Sequence, residues 1–283
     1  MTFFELINVT SAQLKGAKIE TAQTDAMLLI QSVFSLTRIQ LLTKLQEFIP
    51  NNNALTQLNA FIDRRCRGEP LALILETTSF FGYLFRIKSG ILVPRSETEL
   101  LVIKIIDFCK TNNISAPNLL ELGYGCGCIL LSLACYFPKL TGYGWDISKE
   151  AYLTAIKNQE QLICSNVKFY HNDFFSDPNL MDLVQRPNTI FVSNPPYVPT
   201  ASLATLDRSV IHYEPLTALD GGLDGLKFYK KCFELFRNLS ITQFYEVGVC
   251  QKDDLTNLID QYDFKKFNFF NDYHLIPRVL QIQ

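Results

Sequence analysis

The sequence predicts an α/β protein in which helices cover both faces of a mostly parallel sheet. A small helical domain precedes this sheet in the chain. From residue 94 onward, apolar stretches of strand length alternate with helical patterns, which is typical of βαβ units. Residues 1–76 show helical patterns. Residues 77–93 are rich in aromatic and β-branched residues around Gly82 and Gly90, which favours a β-hairpin linker. The predicted domains are therefore 1–76, 77–93 and 94–283.

The composition predicts a soluble, cytoplasmic protein with no stable nucleic-acid partner, and we expect it to be a monomer. The 283 residues include 26 basic and 28 acidic ones, so the chain lacks the positive surplus that duplex DNA binding usually requires. No apolar stretch approaches the roughly 20 residues needed to cross a bilayer, and the N-terminus lacks the pattern of a signal peptide. The eight cysteines have no regular disulfide spacing, which indicates free thiols in a reducing compartment.

Amphipathic helices are predicted in the N-terminal domain. Apolar residues recur at helical spacing from Thr24, which is placed to cap its helix, and again at Leu55, Leu58 and Ile62 after a breaker at residues 50–53. This domain carries no obvious chemistry.

The predicted sheet follows in chain order, with a strand and a helix alternating along most of its length. Its strands are NLLELGY, LTGYGWDI, VKFYH, TIFVSNPPY and FYEVG, with FKKFNFF and PRVLQIQ as two closing strands. The helices CILLSLACYF, KEAYLTAIKNQEQL and GLKFYKKCFELFRNL lie between them. The stretch PRSETE is predicted to begin an earlier helix, with Ser96 and Glu99 capping its N-terminus.

A glycine-rich loop ends the first strand of this sheet and opens a helix. It comprises Gly123, Tyr124, Gly125, Cys126 and Gly127, and its glycines permit a sharp turn and a close approach of a ligand to the backbone. A dinucleotide fingerprint has the form GxGxxG. The form GxGxG found here favours S-adenosylmethionine over a nicotinamide cofactor, although such turns also serve as tight connections only.

Two residues at later strand ends complete a candidate cofactor site. Asp146 ends the second strand, where a carboxylate can bind the two ribose hydroxyls; its alternative role as a helix N-cap is better filled by Ser148. Phe174 follows the third strand and can stack on adenine or pack in the core. Phe175 is assigned to the core.

The tetrapeptide Asn194, Pro195, Pro196 and Tyr197 directly follows a buried strand and is the most specific motif in the chain. An amide or adenine nitrogen attacks a methyl sulfonium poorly, because its lone pair is delocalised. Asn194 Oδ1 and the Pro195 carbonyl can accept hydrogen bonds from such an NH₂ group and orient its lone pair, while Tyr197 packs against the planar group. A proline-rich turn capped by Asn194 is the structural alternative.

No metal site is predicted. Cys126 and Cys128 form a CxC pair, but no second pair follows at zinc-binding spacing. We interpret them as small packing residues.

Together these motifs resemble the HemK/PrmC family of protein-(glutamine-N5) methyltransferases over almost the whole chain. The stretches that carry the resemblance are RGEPL, FFGYLFRI, LVPRSETELLV, GxGxG, NPPYV, EPLTAL, GGLDGLKFYKK and YEVG. The resemblance implies a class I S-adenosylmethionine-dependent methyltransferase with a Rossmann-like, mostly parallel seven-stranded sheet. It also implies that the acceptor is the glutamine of a Gly-Gly-Gln loop in a peptide chain release factor, docked in part by the N-terminal domain.

The resemblance further implies particular residue roles. Cofactor contacts are expected at the glycine loop, Asp146, Phe174 and Asn194, and substrate contacts at Asn194 through Tyr197, with Asn194, Pro195 and Tyr197 catalytic. Tyr124 departs from the family pattern, in which a small hydroxyl residue stands at that position, and its bulk predicts crowding of the methionine part of the cofactor.

Four other functions share part of these features. An adenine-N6 DNA methyltransferase uses the same tetrapeptide but usually needs a basic cleft and a target-recognition domain. A ribosomal-protein glutamine methyltransferase is a near relative, although EPLTAL resembles the release-factor enzymes more. A catalytically silent protein of this fold is motivated only by Tyr124 and Cys126, and a nicotinamide oxidoreductase leaves NPPY without a role.

Overall fold

The computed structural model describes residues 1–50 and 53–283, which form two compact units, Met1–Glu76 and Thr77–Gln283. Residues 51 and 52 of the breaker predicted at 50–53 lie outside the described residues. Within the described part of the first unit, five helices are found: α1 (Phe3–Gly16), α2 (Ala22–Phe34), α3 (Arg38–Thr43), α4 (Ala54–Cys66) and α5 (Leu71–Leu75).

The helix predicted to start at Thr24 begins earlier than its sequence pattern suggested. Its N-cap residue is Thr21, and Thr24 lies inside the first turn, so the predicted capping role of Thr24 is wrong. The reason is packing. Ala22 and Ala26 are both fully buried, so the apolar face of the helix extends one turn further toward the N-terminus than Ala26.

The second unit opens with a β-hairpin formed by β1 (Thr77–Phe80) and β2 (Tyr83–Arg86), which pair antiparallel. Phe81 and Gly82 form its turn, and both have positive φ angles, of 50° and 79°. Two consecutive left-handed residues match the twist of a two-residue hairpin.

A sheet of seven strands follows in the described residues, in the spatial order β5-β4-β3-β6-β7-β9-β8. Strands β3 to β7 run parallel to one another. Strand β9 is antiparallel to β7, and β8 is antiparallel to β9. This mostly parallel sheet confirms the predicted fold class. The strands are β3 (Asn118–Leu122), β4 (Thr141–Asp146), β5 (Val167–His171), β6 (Thr189–Ser193), β7 (Thr242–Glu246), β8 (Phe267–Asn271) and β9 (Pro277–Ile282).

Helices connect these strands. They are α6 (Thr98–Thr111), α7 (Cys128–Tyr136), α8 (Lys149–Leu162), α9 (Leu180–Val184), α10 (Arg208–Tyr213), α11 (Lys227–Phe236) and α12 (Lys252–Gln261). The Ser148 hydroxyl accepts a hydrogen bond from the Ala151 N–H at 3.3 Å, which confirms Ser148 as the N-cap of α8. In the described residues, no helix is long and apolar enough to span a membrane.

The start of α6 differs from the prediction. Helix α6 begins at Thr98 without a side-chain cap. Ser96 donates a hydrogen bond to the neighbouring Glu97 carboxylate instead, and the Glu99 carboxylate accepts one from the Phe81 N–H at 2.9 Å. The predicted capping roles of Ser96 and Glu99 are therefore wrong, because the hairpin turn competes for the Glu99 carboxylate.

The strand order reverses at β3, since β4 lies on one side of it and β6 on the other. In parallel α/β sheets a crevice opens at the carboxyl ends of the strands where the order reverses, and ligands bind there. The glycine loop follows β3 and the tetrapeptide follows β6. The topology therefore brings together two motifs that lie about 70 positions apart in the chain.

Candidate active site

A cavity of about 290 Å³ opens at this crevice. Its lining includes the glycine loop after β3, Asp146 at the end of β4, residues 172–175 after β5 and residues 194–196 after β6. The structure thus gathers at one cavity the strand-end motifs predicted as a cofactor site. Gly127 and Tyr197 are the predicted site residues that do not line it.

Gly123 and Gly125 keep the floor of the cavity open. Their φ angles are +74° and +56°, a region that L side chains rarely adopt. A Cβ at Gly123 would meet no atom within 4 Å, and one at Gly125 would meet only Ile91 Cγ2, at 3.7 Å. Gly127 differs, because a Cβ there would lie 3.0 Å from Phe169 Cζ and 3.1 Å from Leu131 Cδ1. Gly127 therefore allows close packing below the loop.

The Tyr124 side chain turns into the protein below the loop. Tyr124 lines the cavity but is only 2% exposed. Its ring packs against Phe169 with centroids 4.6 Å apart, and its hydroxyl donates to the Tyr170 carbonyl at 3.2 Å. Gly144 on β4 leaves room for both rings, since a Cβ there would lie 2.9 Å from Tyr124 Cδ1 and 2.9 Å from Phe169 Cδ1. This placement accommodates the bulk of Tyr124 and does not support the crowding expected from the sequence.

The Asp146 carboxylate joins the glycine loop to the start of α8. Its Oδ2 accepts from the Gly125 N–H at 2.9 Å and its Oδ1 from the Ser148 N–H at 2.8 Å. Burial raises the pKa of Asp146, while these two hydrogen bonds and the nearby His171 lower it. Each carboxylate oxygen can accept a second hydrogen bond, so Asp146 holds the loop and retains acceptor capacity toward the cavity.

Two phenylalanines follow β5 and differ in exposure. Phe174 is fully buried and makes edge contacts with the rings of Trp145 and Phe175. Phe175, which the sequence assigned to the core, is partly exposed and carries Lys231 over its ring at 5.1 Å. Both residues and Lys231 line the cavity.

Glu121 is a cavity residue that sequence reasoning missed. It lines the cavity from β3 and is 1% exposed, and neither carboxylate oxygen has a hydrogen-bond partner among the described residues. Burial raises the pKa of Glu121 well above its usual value, and the nearby Cys126 and Asp146 raise it further. A buried carboxylate without a partner is destabilising. One acidic residue inside the run NLLEL was the available signal.

The cysteines of the loop pack against the protein interior. Cys126 and Cys128 are buried, and the Asn158 side chain donates to the Cys126 carbonyl at 2.9 Å. A hydrogen bond with the Cys126 thiol, together with burial, raises the pKa of Cys128 well above its usual value. Within residues 1–50 and 53–283, no group of three His, Cys, Asp or Glu side chains is placed to hold a metal ion.

A second cavity, of about 200 Å³, adjoins the first at the tetrapeptide. Leu92, Asn194, Pro195 and Ala218 line both cavities. Tyr197 lines the second cavity only. The Asn194 and Pro195 groups predicted to bind an acceptor amide therefore stand at the boundary between the two cavities.

Close backbone contacts hold the tetrapeptide in place. A Cβ at Gly221 would lie 2.8 Å from the Pro196 carbonyl oxygen, and one at Gly225 would overlap the Tyr197 carbonyl oxygen. Gln251 donates to the Tyr197 carbonyl at 3.1 Å and accepts from the Gly248 N–H at 2.8 Å. Glycines in the segment GGLDG are thus required for the loop to pack against NPPY.

Thr98 and Glu246 form a buried hydrogen-bond network with the tetrapeptide. The Thr98 hydroxyl donates to Glu246 Oε2 at 2.6 Å and accepts from Asn194 Nδ2 at 3.2 Å. The Tyr197 hydroxyl donates to Glu246 Oε1 at 3.2 Å. Burial raises the pKa of Glu246, and the Thr98 and Tyr197 hydrogen bonds and the charge of Arg278 lower it. Sequence reasoning missed both Thr98 and Glu246.

The sheet order, the glycine loop and the strand-end carboxylate define a class I S-adenosylmethionine-dependent methyltransferase. The catalytic domain of human METTL16, solved in complex with a MAT2A 3′UTR hairpin, shares this fold, with a TM-score of 0.54 and 14% identity over 82% of each chain. At that identity the likeness concerns the fold alone.

Sequence relatives identify the family. Residues 5–75 match the PrmC N-terminal domain. A release factor glutamine methyltransferase from Thermodesulfovibrio yellowstonii is 31% identical over 92% of this chain and 91% of its own length. The enzyme of the same name from Caulobacter vibrioides is 32% identical over 82% of this chain and 78% of its own length. The chain belongs to the family of release factor glutamine methyltransferases.

Proposed function

We propose that this protein transfers a methyl group from S-adenosylmethionine to the side-chain amide nitrogen of the glutamine in the Gly-Gly-Gln loop of peptide chain release factors. The observation that carries the proposal is the position of Asn194 and Pro195, which line both the large cavity and the second one. A methyl donor in the large cavity and an acceptor amide in the second cavity would meet at these two residues.

The residues of the large cavity fit S-adenosylmethionine. The open glycine positions 123 and 125 admit a ligand against the backbone, and Asp146 can accept hydrogen bonds from ribose hydroxyls. Glu121 suits the α-ammonium of the methionine part, because a cation is the partner that its buried carboxylate lacks. Phe174 and Phe175 flank the place expected for adenine, and the more exposed ring of Phe175 is available for stacking.

The chemistry depends on how the acceptor amide is held. S-adenosylmethionine, when bound, supplies an electrophilic methyl group. Asn194 Oδ1 and the Pro195 carbonyl accept hydrogen bonds from the acceptor NH₂, which weakens its conjugation and directs the lone pair away from the amide plane. Fixed acceptors of this kind contribute through orientation and charge stabilisation without reorganising during the reaction. Tyr197, whose hydroxyl is engaged by Glu246, offers its ring to the planar group.

The same proposal gives the roles of the domains, the protein partner and the cellular compartment. We assign residues 1–76 to docking of the release factor and residues 94–283 to the methyltransferase domain, with the hairpin segment 77–93 between them. The near balance of 26 basic and 28 acidic residues favours a protein over a nucleic acid as the acceptor. Because release factors act in translation, the enzyme is assigned to the cytoplasm, and we propose that it works as a monomer.

The test is methyl transfer from labelled S-adenosylmethionine to a purified release factor. A release factor with Gln→Ala in its Gly-Gly-Gln loop is the control for the acceptor, and Asn179→Ala, at an exposed position that lines neither cavity, is the control for the enzyme. Label is expected only on the factor that retains its glutamine. Equal labelling of both factors, or labelling of adenine in DNA instead, contradicts the proposal.

A further inference from the structure

The orientation of the Asn194 amide decides whether the tetrapeptide can bind an acceptor NH₂. An asparagine side chain presents an acceptor oxygen on one side and a donor NH₂ on the other. Only Oδ1 can accept from the substrate, so a rotated amide would direct its own N–H groups at another NH₂. Something in the protein must therefore distinguish the two ends of this side chain.

The structure assigns that role to Thr98 and Glu246, which act on Asn194 as positioning residues. Glu246 ends β7, and the register that pairs Ser193 with Tyr245 places Asn194 beside it. Its carboxylate accepts a hydrogen bond from the Thr98 hydroxyl at 2.6 Å, the short distance typical of a charge-assisted O–H···O⁻ hydrogen bond. Thr98 has no second proton to donate, so its oxygen can only accept from Asn194, and Asn194 Nδ2 lies 3.2 Å from it.

The opposite amide orientation is unfavourable in this network. It would place Asn194 Oδ1 against the Thr98 oxygen, whose proton is committed to Glu246, and two acceptors would then face each other in a buried site. Thr98 is 3% and Glu246 2% exposed, so water offers little compensation. The oxygen of Asn194 is thus held away from Thr98.

The same carboxylate also fixes the other end of the tetrapeptide. Tyr197 donates to Glu246 Oε1 at 3.2 Å, and both hydroxyls therefore converge on one acceptor-only group. Tyr229 donates to the backbone carbonyl of Glu246 at 2.7 Å, which holds the end of β7. A single buried residue thus orients Asn194 through Thr98 and Tyr197 directly.

The inference rests on the proposed function and is tested with three variants of the full chain. Thr98→Val keeps the shape of the side chain and removes the hydroxyl, Thr98→Ser keeps the hydroxyl, and Glu246→Gln keeps the shape but adds a donor. Thr98→Val and Glu246→Gln are expected to lower kcat by roughly 10- to 100-fold, less than the 10²- to 10³-fold typical when a preorganised group is removed outright. The KM for release factor and the affinity for S-adenosylmethionine should change little, and Thr98→Ser should stay close to wild type.

A second measurement does not depend on the acceptor. The side-chain amide signals of Asn194 can be assigned in a ¹⁵N-labelled protein by their loss in Asn194→Ala. In the wild type and in Thr98→Ser one amide proton should exchange slowly with solvent, and in Thr98→Val it should exchange several-fold faster. Failure of the wild type to label a release factor contradicts the proposed function while leaving this measurement decisive for the network.

Two results would overturn the inference. One is a Thr98→Val enzyme that keeps wild-type kcat and slow exchange at Asn194. The other is a loss of activity in Thr98→Ser as large as in Thr98→Val, which would show that packing at residue 98, and not its hydroxyl, is what matters.

Discussion

Replacing Glu121 by Gln tests how the cavity recognises its cofactor. The carboxylate is 1% exposed and has no hydrogen-bond partner among the described residues, so we expect it to pair with the ammonium group of S-adenosylmethionine. Hydrogen bonds to charged groups contribute about 1.5–3 kcal/mol, which corresponds to roughly 10- to 150-fold in affinity. Glu121→Gln keeps the shape and removes the charge, and it should weaken binding by that factor.

Glu121→Gln weakens cofactor binding but should stabilise the unliganded protein. Burial raises the pKa of Glu121 well above its usual value, so the folded state holds the proton more tightly than the unfolded state. Stability is therefore lost as pH rises from the usual carboxyl pKa through the folded-state pKa, by about 1.4 kcal/mol for each tenfold difference in proton affinity. Glu121→Gln removes this loss and should raise the unfolding temperature of the unliganded protein at the alkaline end.

Calorimetry and thermal unfolding across pH measure both effects. In the wild type, cofactor binding should release a proton from Glu121, so the binding enthalpy depends on the ionisation enthalpy of the buffer; in Glu121→Gln this component disappears. Glu160→Gln, the same change at an exposed position, is the control. The reasoning is refuted if Glu121→Gln binds S-adenosylmethionine within twofold of wild type and unfolds with unchanged pH dependence.

Three further predictions concern the loop and the tetrapeptide. Asn194→Ala should lower the rate of methyl transfer by on the order of 10²- to 10³-fold, with cofactor affinity by calorimetry largely retained. Asp146→Asn replaces an acceptor by a donor, so either the Gly125 or the Ser148 N–H loses its partner, and affinity for S-adenosylmethionine should fall roughly 10- to 150-fold. Gly144→Ala places a Cβ 2.9 Å from both Tyr124 Cδ1 and Phe169 Cδ1, which should destabilise the protein by about 1–3 kcal/mol in denaturant unfolding. Because Tyr124→Ala removes one of these two contacts, the destabilisation should be smaller in that background.

A different result would contradict each of these three predictions. Near-normal transfer by Asn194→Ala would remove its oxygen from the mechanism. Unchanged cofactor affinity in Asp146→Asn would show that neither the loop hydrogen bond nor the ribose contact depends on the carboxylate. Equal destabilisation by Gly144→Ala with and without the Tyr124 ring would mean that the contact with Phe169 alone accounts for the effect.

Most of the fold could be read from local patterns. A parallel strand buried on both faces is a continuous apolar run, and its helices repeat every 3.6 residues, so both types of element are visible in a short window of sequence. The residues at which helices begin were harder to predict from the sequence. The beginnings of α2 and α6 depend on which residues are buried and on a hydrogen bond from the hairpin turn to Glu99, and no local pattern contains that information.

In the candidate site, too, some residues could be predicted from the sequence and others could not. The glycine loop, Asp146 and NPPY could be identified because each is a short motif at a strand end, and topology brings strand ends together. The relative roles of Phe174 and Phe175 were not predictable, since exposure depends on the rings around them. The sequence predicted that Tyr124 would crowd the cofactor. The space beside Gly144 that accommodates its ring lies on another strand, so it could not be inferred from the sequence of the loop.

The sequence by itself determined the alternation of strands and helices, the conformations that the loop glycines permit and the chemical groups offered by the tetrapeptide, because these properties reside in adjacent residues. Only the tertiary structure decided which polar groups are partnered. Thr98 meets Glu246 across 148 positions and Asn194 across 96, and Glu121 is left without a partner in the described residues. Hydrogen bonding and desolvation act through space, so the pairing of buried groups follows from the packing of distant elements.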